Sequence, residues 1–479
     1  MRRLAMVLGG LALLPSCNED SSGEVTGTDA GNSGEVTGTD AGDSSGEATG
    51  TDAGEGVDAF HIDAVLASDI NPNAPGTIGI VTWSVQDVSV DSAEIHFGLD
   101  SHYGMIAPVD LNEPDYRTLL LGMKPDRQYH FQVVATSGNA RHQSSDYTIN
   151  TGPVTNLISV TPAIHDATSH ESGFIVSTQV QGNLVNPAPG EWPEIMSAPS
   201  TVFIIDGDGD IVWWYPSCVG LTTRARMSYD GKSMWLIPDR TEFAGGEIGL
   251  VSMDTLESTL YQDGISATHD GTAVDNEVLA YIDYGEEDCG SVFELHRDGS
   301  KVEIFESSDY IEYPPSYSPK ACHLNAIRYN EAEGLYTVSD RENEIFAIDR
   351  QGAVQWRLTD IVSMESYGAQ HHGHQLLPDS ILLFANIGGD DGRSSAAIEF
   401  SLTDGTELFR YAPPGVSSAF YGDVQRLPGG NTLVTFSVAG EMHEVDPNGN
   451  LVMTVEGENV FGYAEWRRSL YGPPTDIQM

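Results

Sequence analysis

Apolar residues along this chain fall at alternate positions in short runs, and Gly, Asp, Asn and Pro break the runs every few residues. The stretches 77–83 and 93–97 are two such runs, and their recurrence between about Phe60 and Thr151 predicts a small β-sandwich over 58–153. From about Asn156, strands and turns repeat with a period of about 50 residues, in the range that marks closed arrays of blades. The phrases 204–215, 345–356 and 442–452 each read as a hairpin around a Gly turn. A second series, with landmarks at Ala273, Ile327, Leu376 and Arg426, marks inner strands. Together the two series predict an all-β chain whose segment 156–479 is a six-bladed β-propeller with four antiparallel strands per blade, which leaves no exposed sheet edge.

The segment 123–133 places Tyr129 at the start of a strand after a turn containing Pro125, which resembles the tyrosine corner of fibronectin type III sandwiches. Upstream, Arg2 and Arg3 precede an apolar run over 4–14, too short for the roughly 20 residues that span a bilayer. Leu14-Pro15-Ser16-Cys17 then resembles a bacterial lipobox, in which cleavage falls before a Cys that is lipidated on sulfur. That implies a signal peptide over 1–17, lipidation at Cys17 and export to the cell envelope, on its periplasmic face or its surface. An ordinary signal peptide in which Cys17 falls by chance is the other reading. Residues 18–57 repeat one Gly/Thr/Asp unit from Gly23, Gly34 and Gly46, a composition that cannot bury a core and makes a flexible, disordered tether.

Charge narrows the function. With 22 Lys+Arg against 71 Asp+Glu the net charge is −49, and only two basic and ten acidic residues lie in 1–57, so the folded part itself is acidic. Nucleic-acid binding, which needs a basic face, is excluded. Asp206, Asp208 and Asp210 imitate a calcium loop, but no later Glu completes the set, so a plain turn is expected. His165, His170 and His443 are expected at the surface or in turns. After Cys17, three cysteines remain, and a Cys289–Cys322 bridge is one pairing that would stiffen the rim beside His323.

Three histidines fall in phase with the inner-strand landmarks: His269, His323 and His372 each stand four residues before Ala273, Ile327 and Leu376. Successive blades would therefore set three imidazoles at the start of their innermost strands, around one end of the central channel. Arg341 ends the strand that pairs with the one starting near His323, and so returns to the same rim. Three imidazoles and a guanidinium suit an anionic ligand with tetrahedral oxygens. Three histidines would also suit zinc, the chemistry of a metal hydrolase.

His269-Asp270, Cys322-His323-Leu324-Asn325, Val338-Ser339-Asp340-Arg341, the run 370–378 around His372, and the ending 463–471 together resemble the bacterial arylsulfotransferase propeller family. The resemblance covers roughly 156–475. It implies transfer of a sulfuryl group from a phenolic sulfate ester to a phenol acceptor, without a nucleotide donor, metal or other cofactor. On these motifs His372 would be the nucleophile that becomes sulfated, His269, His323 and Arg341 would hold the sulfuryl oxygens, and one of the two histidines would remove the acceptor's proton. Asn325 and His374 would touch substrate. The chain departs from the family at Asn386, where an Asp is common. A surface propeller that binds sulfated or anionic ligands without turnover remains the alternative, and the anchor would add a membrane as partner.

Overall fold

The computed structural model describes residues 60–474, apart from 156–157, 183–184, 187–197, 218, 220, 240–245, 285–289, 310–322, 341–343, 363–372 and 388–393. The signal segment, Cys17, the tether and the other three cysteines lie outside the described residues.

Within the described residues nearly every regular element is a β-strand. In the N-terminal region Phe60–Leu66, Gly79–Val85 and Thr118–Leu120 form one antiparallel sheet. Met105–Pro108, Ser92–Gly98, Gln128–Ser137 and Ala140–Gln143 form a second, with Tyr147–Asn150 also paired to Gln128–Ser137. Strand alternation sends Val81 and Trp83 of the first and Ile95, Phe97, Phe131 and Val133 of the second into one shared core. Tyr129 lies in that core, and its hydroxyl accepts the backbone N–H of Lys124 at 2.8 Å, the bond a tyrosine corner makes.

The remainder is a β-propeller. Among the described residues six sheets follow one another, and in five the chain runs in order from an inner strand outward. Their inner strands are Thr222–Met227, Ala267–Ala273, Leu324–Asn330, His374–Leu376 and Asp423–Arg426. The phrases 204–215, 345–356 and 442–452 are outer hairpins, as their Gly turns predict. The other sheet is built from both ends of the propeller segment: Glu465–Arg467 is its inner strand, beside Phe174–Val180, Ser200–Asp206 and Ile211–Pro216. Val160–Ile164 adds to the outer edge of the last sheet, beside Leu451–Gly457. The seam is thus crossed twice, so opening it means breaking backbone ladders at both edges.

Inner strands also bond to one another around the channel. Thr223 Oγ1 donates to His269 O at 2.8 Å, Ile327 N–H to Asp270 Oδ2 at 3.2 Å, and Arg328 Nε to His374 O at 3.2 Å. Arg426 N–H donates to Gln375 Oε1 at 2.5 Å, and Gln425 bonds both backbone groups of Trp466. Tyr463 N–H to Thr223 O, at 2.8 Å, completes the circuit.

The N-terminal region packs on this ring rather than trailing from it. Ala67, Ile78, Ile80, Leu119 and Leu121 share a buried core with Val176, Trp213, Met227 and Leu236. The turn at 206–210 is more than the plain turn expected: Lys124 places its Nζ 2.8 Å, 2.8 Å and 2.6 Å from the carboxylates of Asp206, Asp208 and Asp210. An ammonium from the preceding region thus occupies the place a cation would take. Burial alone would lower the Lys124 pKa, but the three carboxylates hold it well above its ordinary value.

His165 is exposed and His170 follows a turn, as expected, but His443 corrects its assignment. It lies inside the strand Glu441–Val445, 6% exposed, because that strand is covered on this face and gives its ring two partners, Tyr411 Oη at 2.8 Å and Glu441 Oε2 at 3.0 Å. His170 is tied by Nδ1 to Glu444 Oε2 at 2.5 Å and by Nε2 to Gly207 O at 2.9 Å. Both partners accept, so both ring nitrogens carry protons, and Glu444 foremost raises the His170 pKa.

Two measurements check these ties. Lys124→Met leaves three carboxylates facing one another, and should cost about 1–2 kcal/mol in urea unfolding, less than the 3–5 of a fully buried pair because Asp208 and Asp210 keep contact with water. For His170 the folded pKa lies above the unfolded value of about 6.5, so its contribution is full below that pH and is lost as pH rises through the folded value. The urea midpoint of wild type should fall across this window relative to that of His170→Asn; parallel curves would remove the imidazolium from the account.

Candidate functional site

The inner strand Ala267–Ala273 does not pair evenly with its neighbour: its register shifts between Ala267 and Gly271. The irregularity re-aims side chains, as bulges do. Asp270 turns to the channel axis, where its Oδ1 accepts Arg224 Nε at 2.6 Å. His269 takes φ +60°, a left-handed conformation that costs a non-glycine residue energy.

His323 arrives from the next sheet. It immediately precedes Leu324–Asn330, and its N–H donates to Asp340 Oδ2 at 2.9 Å, at the end of the paired strand Leu335–Asp340. The two imidazoles meet with Nε2 atoms 3.0 Å apart and rings nearly perpendicular, at 86°. The Tyr284 ring stands 5.9 Å from His269 and 5.1 Å from His323, between centroids, held by its hydroxyl's bond to Leu324 O at 2.9 Å. A ring tilted beside an imidazole pair sets an aromatic face and a proton acceptor together.

Behind the pair lies Asp239, 3% exposed. Its Oδ1 accepts the Thr268 hydroxyl at 3.0 Å and lies 3.7 Å from His269 Nδ1, while its Oδ2 accepts the Tyr421 hydroxyl. Burial, then the Asp239 charge, push the Tyr421 pKa well above its ordinary value, so this hydroxyl stays protonated and donates. Tyr421 also adopts a left-handed backbone, φ +54°. Its carbonyl takes an N–H of Asn386 at 2.9 Å, and the other goes to Ser418 O at 2.6 Å. An Asp at 386 has no N–H to donate, so the departure from the family's common residue is matched by two local acceptors.

Further along the inner strands, ionised groups fill the axis. Arg224 pairs with Asp270 and, through Nη1, with Asp423 Oδ2 at 2.8 Å, and lies 4.4 Å from the centre of the Tyr463 ring. Arg328 Nη2 grips both oxygens of Asp423, at 2.5 and 2.6 Å, and Arg226 and Arg467 bracket Glu465. Burial would raise the Glu465 pKa, but the two guanidiniums carry it below its ordinary value; for Asp423 burial prevails and the pKa rises. At the end away from the histidines a cavity of about 60 Å³ is lined by Arg226, Arg328, Gln375 and Glu465. That is smaller than the ~150 Å³ space that admits benzene.

The structure therefore brings His269 and His323 together. Asn325 is fully buried beside them in sequence, and among the described residues neither its Oδ1 nor its Nδ2 has a hydrogen-bond partner. His374 is also fully buried, with its Nε2 3.0 Å from Thr337 Oγ1. His372 and Arg341 lie outside the described residues. Gly373 donates its N–H to Gly422 O at 3.2 Å, and a Cβ there would come within 2.3 Å of Asp423 Oδ1, so only glycine fits.

Asp239, Tyr284 and Tyr421 lie off the inner strands, and Thr268, on one of them, stands outside the histidine phase, so all four escape the sequence reading. A signal for part of the set exists: Asp239, Asp283, Asp340 and Asn386 each close or directly follow the second strand of successive sheets, a second in-phase polar series. Asp283 Oδ2 takes Ser266 N–H at 2.9 Å just as Asp340 takes that of His323, so the series anchors the starts of inner strands.

No family model and no curated protein matches the chain. Among solved structures it is similar to the WD40 β-propeller domain of Doa1, with 12% identity over 61% of this chain and 89% of that one, at a TM-score of 0.37. The C-terminal WD40 domain of Sif2 gives 12% identity, 66% and 75% coverage, and a TM-score of 0.35. An auxiliary nutrient binding protein from Bacteroides thetaiotaomicron gives 8%, with 81% and 96% coverage and a TM-score of 0.33. Likeness at this level carries no function, and the propeller assignment rests on the strand pairing.

A buried amide with no partner among the described residues costs about 1–3 kcal/mol, which makes Asn325 a candidate ligand contact. Asn325→Leu, similar in size, should keep or raise the melting temperature while abolishing binding of an aryl sulfate. A lower melting temperature with binding intact would make Asn325 structural.

Proposed function

We propose that the chain is a nucleotide-independent sulfotransferase that moves a sulfuryl group from a phenolic sulfate ester to a phenol, through a sulfo-histidine, in a ping-pong cycle. The observation that carries this reading is the His269–His323 pair. Residues 54 apart in sequence meet at 3.0 Å beside an aromatic ring, at the end of the channel to which the motifs of the resemblance assign the chemistry.

In the first half-reaction His372 attacks sulfur in line, the S–O bond to the aryl group breaks, and the phenoxide leaves with the bonding electrons. In the second, the acceptor's oxygen attacks sulfur and the bond to His372 breaks. Splitting one displacement into two is what a nucleophilic side chain contributes. Arg341, His269 and His323 would neutralise the equatorial oxygens, while Asn325 and His374 line the substrate. The finer architecture belongs to the same proposal: six blades in one ring, a fibronectin type III-like sandwich packed on two of them, and a lipidated Cys17 with a tether that holds the enzyme at the bacterial envelope.

Incubation with a chromogenic phenyl sulfate, with and without a second phenol, tests it. A burst of phenol, one sulfuryl group on His372 by peptide mass spectrometry, and continued turnover only with acceptor are expected. His372→Ala should lose all three while staying folded. Arg341→Lys keeps charge but not the fork of donors, and should lose roughly 2–4 kcal/mol in turnover. Tight binding of the ester without turnover would instead make the protein an anion-binding propeller.

A further inference from the structure

The carboxylate of Asp239 does not itself belong to the imidazole pair, yet the groups that shape the pair converge on it. It accepts from Tyr421 and from Thr268, and its own N–H donates to Leu221 O at 2.8 Å. The two residues it holds in place at this end of the channel, His269 through Thr268 and Tyr421 directly, both have left-handed backbones, at φ +60° and +54°. Strain of this kind persists only where surrounding bonds over-determine it, and it gathers at functional sites.

The donors and acceptors can be assigned in order. An ionised carboxylate only accepts, so the single hydroxyl proton of Thr268 lies on the 3.0 Å contact to Asp239 Oδ1. Towards His269 Nδ1, 2.7 Å away, Thr268 Oγ1 then has only a lone pair to offer. His269 Nδ1 must therefore carry a proton. The proton in play is the one shared between the two Nε2 atoms, 3.0 Å apart.

We infer that Asp239, acting through Thr268, fixes His269 as its Nδ1–H tautomer and makes His269 the member of the pair that holds the positive charge when the pair takes up a proton. This rests on the transfer reading above and assigns the acid–base role within it. As the acceptor phenol attacks, its O–H bond breaks, the electron pair stays on the oxygen that bonds to sulfur, and the proton goes to the lone pair of His323 at Nδ1, while His323 Nε2 passes the shared proton across the 3.0 Å contact to His269 Nε2. The charge settles on the His269 side, whose Nδ1 lies 3.7 Å from Asp239 Oδ1. Asp340, at the end of the strand paired with that of His323, accepts the His323 backbone N–H. Asp239 and Thr268 are positioning residues, and Tyr421 holds the carboxylate from its other oxygen.

The test uses the full chain with 15N-labelled histidine, the His269 signals being identified by their loss in His269→Gln. Wild type should show a protonated Nδ1 and an unprotonated or exchanging Nε2 at His269. Thr268→Val, which keeps the shape and removes the hydroxyl, should lose that preference and lower kcat roughly tenfold or more with KM for the ester within about twofold. Thr268→Ser should restore both, which a merely structural role for the side chain would not require. An Nε2–H tautomer in wild type, or a Thr268→Val signature and kcat that match wild type, overturns the inference. Wild type with the Nδ1–H tautomer and no turnover of any aryl sulfate defeats the transfer reading alone.

Discussion

One guanidinium joins four of the six sheets. Arg224, on the inner strand Thr222–Met227, is fully buried and reaches Asp270 on the next inner strand, Asp423 on the last, and the carbonyl of Ala464 at the start of the strand that closes the seam. Removing one partner from such a buried pair typically costs 3–5 kcal/mol, because the other is left charged and out of water. Sheet edges can close a ring in more than one register, but a planar fork with fixed donors accepts only the register that brings these acceptors to it. The ladders supply the cohesion of the ring, and Arg224 with its acids specifies how the inner strands line up.

That alignment shapes the candidate site. Asp270 can reach Arg224 only because its strand breaks register between Ala267 and Gly271, and the same break puts the neighbouring His269 into a left-handed conformation at the channel end. Two adjacent residues thus serve two ends of one arrangement, a buried ion pair on the axis and an imidazole beside His323. The irregularity between Leu324 and Ala326 stands in the same relation to His323 and Asn325. Of the three in-phase histidines, His269 lies within a register break of its inner strand and His323 immediately precedes one.

Much of this was legible in the chain. The hairpins at 204–215, 345–356 and 442–452 and the inner-strand landmarks lie where local turn chemistry puts them, and the phase of His269 and His323 is a consequence of repeat geometry that needs no knowledge of contacts. What local pattern could not show were pairings set by distant partners. Lys124 meets an acidic turn 84 residues away, from a different sheet system, and nothing in Asp206-Gly207-Asp208-Gly209-Asp210 indicates whether a metal, a lysine or water will face it. The burial of His443 depends on Tyr411 from the preceding sheet. Asp239 escaped because an inner-strand reading records one position per blade, and this carboxylate acts from the end of a second strand.

The charge balance bears on how the described cations of this acidic chain are used. Of 22 basic residues, Arg117, Lys124 and Lys232 hold the N-terminal region to acids of the ring or the reverse, while Arg224, Arg226, Arg328 and Arg467 are committed to the axis. Arg350, Arg357, Arg410 and Arg426 each pair with a glutamate. Eleven of the described cations are thus committed to structural ion pairs. Asp239 stands behind His269, whereas Asp340 accepts the backbone N–H of His323, so the asymmetry of the pair follows from how the sheet ends are tied.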